Sequence, residues 1–140
     1  MLHLISSSTY CFPKELARQN QDHILAPQKY QSGYLFAVAD GVGGYKGGEI
    51  ASQIAIQNLM RDPQNVFTQS LAEIKQLPEE YQRASTTLTF AYLTEEGLHI
   101  GHIGDCRLYI KQGNKLRQKT KDHTTCLLYT SDAADELLCV

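Results

Sequence analysis

Gly33-Tyr34-Leu35-Phe36-Ala37-Val38-Ala39-Asp40-Gly41-Val42-Gly43-Gly44-Tyr45-Lys46-Gly47-Gly48-Glu49-Ile50-Ala51-Ser52 contains the decisive change of pattern in this 140-residue chain. Its opening run is short, apolar and rich in strand formers, bounded by Gly33 and by Asp40-Gly41, which predicts a buried strand. Beyond the glycine cluster Gly41 to Gly48 the apolar residues change period. Ile50, Ala51, Ile54, Ala55 and Leu59 recur at three and four, which predicts an amphipathic helix to about Arg61. Asp62-Pro63 closes it, because proline disfavours a helical residue before it. Asp40 thus sits where a buried strand ends, a rigid mounting that suits a metal ligand. Gly41 leaves its carbonyl unshielded, so a hard cation could take oxygen from both residues. The same segment permits a plain glycine turn with Asp40 as a cap, or a phosphate cradle. Against the cradle, neither GxGxxG nor GxxxxGK[ST] is present.

Working outward, Leu2–Tyr10 reads as a first strand, and Pro13 with the polar stretch to Gln21 as a loop. Val66, Phe67, Leu71, Ile74 and Leu77 outline a second helix ended by Pro78. From Ser85 the period becomes two. Thr86–Leu93, Leu98–Ile103 and Arg107–Lys111 read as consecutive strands of a β-meander, with Lys115–Gln118 as a short addition. No internal repeat, low-complexity block or linker is visible. Strands, two helices and then a meander predict an α+β layered fold rather than alternating βαβ units.

Hydrophobic residues make up 42% of the chain and charged residues 20%, a globular composition rather than a disordered one. With 13 Lys+Arg against 15 Asp+Glu, the net charge of −2 argues against a nucleic-acid or anionic-membrane partner. Leu35–Ala39 is too short an apolar run to span a bilayer, and Met1–Ser6 lacks a basic n-region. The expected address is the cytoplasm. The cysteines Cys11, Cys106, Cys126 and Cys139 form no CxxC pair, so reduced thiols are expected.

Cys126–Glu136 reads CLLYTSDAADE, which matches residue for residue the translation of a common transposase-based sequencing adapter. Residues 126–140 are therefore expected to be a non-native tail, and residues 1–125 the N-terminal part of a domain that continues further. The tail holds Asp132, Asp135 and Glu136, so the remainder is about neutral.

Further ordered segments accompany the glycine turn. Arg18-Gln19-Asn20-Gln21-Asp22 lies upstream; Thr86-Thr87, Gly104-Asp105-Cys106-Arg107 and Thr120-Lys121-Asp122-His123-Thr124 lie downstream. Together these resemble the metal-dependent protein phosphatases of the PP2C (PPM) family, bacterial type. Asn20-Gln21-Asp22 resembles that family's N-terminal acidic motif, and Asp40-Gly41-Val42-Gly43-Gly44 its central DGxGG. Thr86-Thr87-Leu88 resembles the (G)TT strand, Ile103–Arg107 the GDSR turn and Thr120–Thr124 the TxDHS motif.

The resemblance implies a four-layer α-β-β-α sandwich, here truncated to roughly its N-terminal half. It implies hydrolysis of phosphoserine or phosphothreonine in proteins by water activated between two Mg²⁺ or Mn²⁺ ions, with a third, weaker metal site. Carried over by position, Asp40 bridges the metals, Gly41 offers its carbonyl, Asp22 ligates directly or through water, and Asp105 serves the third site. Arg18 clamps the substrate phosphate, as a guanidinium does well. The catalytic set is then Arg18, Asp22 and Asp40. His123 reads as structural before catalytic, and His3, His23, His99 and His102 show no ligand spacing. Cys106 stands where the family has Ser and reads as a small residue packed in a turn.

The implied partners are phosphorylated proteins, including products of a serine/threonine kinase, with no nucleic acid or membrane, and the expected state is a monomer. Two departures matter. Gln21 replaces a common Glu, which favours as an alternative a non-catalytic pseudophosphatase or phosphoprotein-binding module. The family's later acidic motifs lie beyond this chain, so the fragment itself is expected to be inactive.

Overall fold

In the computed structural model, which describes residues 2–13, 20–42, 47–81 and 83–123, two long strands open the fold. β1 (Asp22–Tyr30) and β2 (Gly33–Val42) pair antiparallel across a tight turn at Gln31-Ser32. β2 runs into α1 (Gly47–Arg61), and a short 3₁₀ turn, Pro63–Asn65, leads to α2 (Val66–Lys75). The chain then returns through β3 (Ser85–Thr86), β4 (Leu88–Thr94) and β5 (Gly97–Ile103). The main sheet has the order β1-β2-β4-β5, with β3 paired to the far end of β2. β6 (Tyr109–Gln112) and β7 (Lys115–Gln118) form a separate hairpin.

Side-chain alternation divides the sheet into two faces. On β2, Leu35, Ala37 and Ala39 are buried and join Leu25, Leu88, Phe90 and Ile103 on the face that α1 and α2 cover. Ala51, Ala55, Ile56 and Leu59 of α1, with Val66, Leu71 and Ile74 of α2, supply the opposing layer. The helices also share a buried hydrogen bond, from Asn58 Nδ2 to Ser70 Oγ at 3.2 Å. The opposite face carries Ile24, Phe36 and Val38 and leads along β2 to Asp40. It forms one wall of an open groove whose other wall is Ser7–Tyr10 and Arg107–Tyr109. Among the described residues, no helix is long and apolar enough to cross a membrane.

The layered α+β expectation and both helices agree with the structure, and four details differ. Leu2–Tyr10 is not a strand: Ile5 is 95% exposed, and no described strand pairs with the segment. A strand exists only through pairing, and period alone does not supply a partner. β1 is an element the pattern hid, because Pro27 interrupts it. The register shift between Leu25 and Gln28 absorbs that proline on an edge strand, where proline is tolerated. The expected strand Thr86–Leu93 is broken at Thr87, whose backbone N–H turns to Asp40 O at 2.9 Å. The meander is interrupted too, because β6 pairs with β7 and not with β5. The expected boundary at residue 125 and the tail beyond it lie outside the described residues.

Candidate metal centre

The register of the first hairpin places Asp22 directly opposite Asp40, so the two carboxylates share one face at the sheet's end. A third arrives from the end of β5. Gly104 has φ +110°, a backbone conformation that L side chains rarely adopt, and it turns the chain so that Asp105 and Cys106 lie beside Asp40. One carboxylate oxygen each from Asp40 and Asp105 and Cys106 Sγ all lie within 4.8 Å of one another.

The crowding is electrostatically costly. Partial burial, then the hydrogen bond and charge of Asp22, then the charge of Asp105 push the Asp40 carboxyl up to about 6. Among the described residues, none of the three acids makes an ion pair, and the Arg107 guanidinium is turned away to Asp122 at 2.6 Å. Burial pushes the Cys106 thiol up, and the neighbouring carboxylates add to this against a lowering hydrogen bond from Thr87. Carboxylates gathered without a cationic partner among the described residues are the donor set that a hard divalent cation takes.

Uncharged groups hold the acids in place. Thr87 Oγ1 accepts the Asp40 N–H at 3.0 Å, Asp40 O accepts the Thr87 N–H at 2.9 Å, and the Thr86 hydroxyl is shared between Thr87 O at 2.8 Å and Asp40 O at 3.2 Å. Asn20 Oδ1 accepts the Asp22 N–H at 3.0 Å. Gln21 O accepts the Gly41 N–H at 3.2 Å and the Ser52 hydroxyl at 2.6 Å. That hydroxyl has one proton, so His23 Nδ1, 2.7 Å from Ser52 Oγ, donates to it. These contacts pin the start of β1 to α1.

Gly41 and Gly48 make this approach feasible. A Cβ on Gly41 would collide with Gly48 O, and one on Gly48 would lie 2.7 Å from Gly41 C and 2.8 Å from Gln21 Oε1. The Gln21 amide oxygen therefore lies over the start of α1, beside the contact of Gly41 with Gly48.

A strap completes the rim. Arg107 binds Asp122 through Nε and Nη2, and the His123 N–H donates to Gly104 O at 2.7 Å. His123 stacks on His102 at 4.8 Å between ring centroids, and burial holds its pKa down. Asp22, Asp40 and Asp105 are thus brought together, with Gly41 adjacent to Asp40. Arg18 lies outside the described residues. Sequence reasoning missed the Thr86-Thr87 clamp, the Ser52–His23 pin and the approach of Cys106. Two hydroxyls at a strand break were the visible signal for the first, and the other two depend on tertiary contacts alone.

The model for protein phosphatase 2C matches residues 17–134, most of the chain. The chain belongs to the protein phosphatase 2C family. It is 30% identical over 123 residues to a serine/threonine phosphatase stp of Listeria welshimeri, covering 73% of this chain and 49% of that protein. It is 32% identical over 110 residues to serine/threonine protein phosphatase PstP of Mycobacterium tuberculosis, covering 68% of this chain and 21% of that one. The crystal structure of the Mycobacterium tuberculosis phosphatase PstP superposes with a TM-score of 0.71 at 27% identity, over 83% of this chain and 54% of that one. A second PstP structure, of the catalytic domain in complex with two manganese ions, gives a TM-score of 0.70 at 27% identity, over 83% and 55% of the two chains. This protein phosphatase 2C chain therefore has the expected fold and spans about half the length of the first relatives it matches.

Proposed function

We propose that the chain is the N-terminal part of a metal-dependent protein phosphatase acting on phosphoserine and phosphothreonine. The observation that supports this most is the convergence of Asp22, Asp40 and Asp105 at one sheet end without an ion-pair partner among the described residues. Bound Mg²⁺ or Mn²⁺ lowers the pKa of a water and offsets charge on phosphoryl oxygens. Asp40 and Asp22, with the Gly41 carbonyl, would hold two such ions, and Asp105 would extend the set toward a third. The hydroxyls of Thr86 and Thr87 fix the Asp40 backbone, so its carboxylate needs little reorganisation on binding. Arg18 clamps the substrate phosphate in a fork of guanidinium donors.

The full-length protein is read as a cytoplasmic monomer that reverses the action of a serine/threonine kinase on phosphoproteins, and this fragment as inactive. Gln21 favours a non-catalytic binding module as the second reading, but the convergence of Asp22, Asp40 and Asp105 supports the enzyme reading first. Mn²⁺-dependent hydrolysis of an aryl phosphate by the full-length protein, abolished in Asp40→Asn, is the expected result. Phosphopeptide binding with no turnover at any metal concentration would instead establish the binding module.

A further inference from the structure

The three carboxylates are not the whole donor set. Cys106 Sγ and one carboxylate oxygen each of Asp40 and Asp105 all lie within 4.8 Å of one another. The donor atoms of one tetrahedral ion stand roughly 3.3–3.8 Å apart when its bonds are about 2.0–2.3 Å long. The bound of 4.8 Å lies about 1 Å above that range. Gly104 sets the turn that brings the thiol there, and Thr87 Oγ1 lies 3.5 Å from the sulfur, on the side that also holds the Asp40 backbone. The thiol is half-buried and free of any disulfide.

We infer that Cys106 is a metal ligand which, with Asp40 and Asp105, makes a mixed oxygen–sulfur pocket for a thiophilic divalent cation of the zinc class. Carboxylates alone favour hard ions, whereas a thiolate sulfur shifts preference toward Zn²⁺ and its softer analogue Cd²⁺. On binding, the S–H bond breaks, its proton passes to solvent and the sulfur electron pair forms the S–metal bond. No oxidant or reductant is required. The inference rests on the metal-centre reading above and adds a sulfur donor to it. Zinc-class ions would then compete with Mg²⁺ or Mn²⁺ for Asp40, so the same pocket would couple the centre's occupancy to the supply of thiophilic metal.

The test is a Cd²⁺ titration of the 140-residue chain, followed by the ultraviolet sulfur-to-cadmium charge-transfer band. Loss of the free Mn²⁺ paramagnetic resonance signal is measured in parallel. The band is expected in the wild type and in the variant in which Cys11, Cys126 and Cys139 are all replaced by Ser. It is expected to vanish in Cys106→Ser, with Mn²⁺ uptake retained. A band that survives Cys106→Ser, or is missing from the variant that keeps Cys106 alone, overturns the inference. Mn²⁺ uptake without any cadmium–sulfur band overturns it and leaves the metal centre standing. Uptake of neither ion overturns both. Circular dichroism of Cys106→Ser, expected to match the wild type, shows that a lost band reports the missing sulfur rather than unfolding.

Discussion

Asp40 is the side chain whose environment is least comfortable without a cation. Its folded-state pKa of about 6 exceeds the ordinary 3.8, so the folded chain binds this proton more tightly than the unfolded chain does. The stability this group contributes is present below about pH 4 and is lost as pH rises through about 6. In metal-free buffer, chemical denaturation should therefore show this contribution shrinking between about pH 4 and about pH 6. Mn²⁺ should oppose the trend, because the ion competes with the proton and its affinity rises over the same interval. Asp40→Asn removes the like charge: it should raise the metal-free Tm near neutral pH and abolish Mn²⁺ binding. Thr87→Val deletes a hydroxyl that holds the Asp40 N–H and is expected to weaken Mn²⁺ binding about 10–100-fold, as loss of outer-shell support typically does. Calorimetric titration of Mn²⁺ into both proteins gives that ratio. Asp40 was legible from its place between a buried strand and the glycines, whereas Asp22 and Asp105 were singled out by the resemblance of their motifs to those of the family. The hydroxyl clamps were not legible, because a threonine at a strand break looks like any other strand former until its partner is known.

Among the elements, the contact of β2 with the start of α1 shows how tightly the centre is built. Alanine normally gains about 1 kcal/mol over glycine inside a helix. At Gly48 the added methyl would meet Gly41 C at 2.7 Å and Val42 N at 2.8 Å, both backbone atoms that cannot swing aside. Overpacking of this kind costs about 1–3 kcal/mol or more, so the steric term wins. Gly48→Ala is expected to lower the urea midpoint at an unchanged m-value. A raised midpoint would mean that propensity decides and the approach is loose. The glycine cluster announced a tight turn, but sequence did not reveal that two of its members face each other across strand and helix. β1 was hidden for a related reason: Pro27 reads as a breaker, and only its place at an edge with a register shift makes it compatible with a strand.

At the scale of the whole molecule, the helix-covered face of the sheet carries the buried core. Leu59 is fully buried between α1 and the sheet, and Leu59→Ala should cost about 2–5 kcal/mol by calorimetric or denaturant unfolding. Val38, 38% exposed on the opposite face, should tolerate Val38→Thr within about 0.5 kcal/mol in this chain. A loss at Val38 as large as that at Leu59 would show that the second face is packed in solution. The helix layer was legible because apolar residues spaced at three and four declare which side they bury. The pairing of β6 with β7 rather than β5 was not, because adjacent strands in sequence need not be neighbours in space.

β2 is hydrogen-bonded to β1, β3 and β4, and Asp40 lies where the last pairings of β1 and β3 meet. Small opening motions that expose a chain's edges leave such a strand closed. Amide protons around Asp40 would therefore exchange with deuterated water near the rate set by global opening, while those of the β6–β7 hairpin would exchange far sooner. Fluctuation would reshape the outer surface of this protein long before it disturbed the spacing of its three acids.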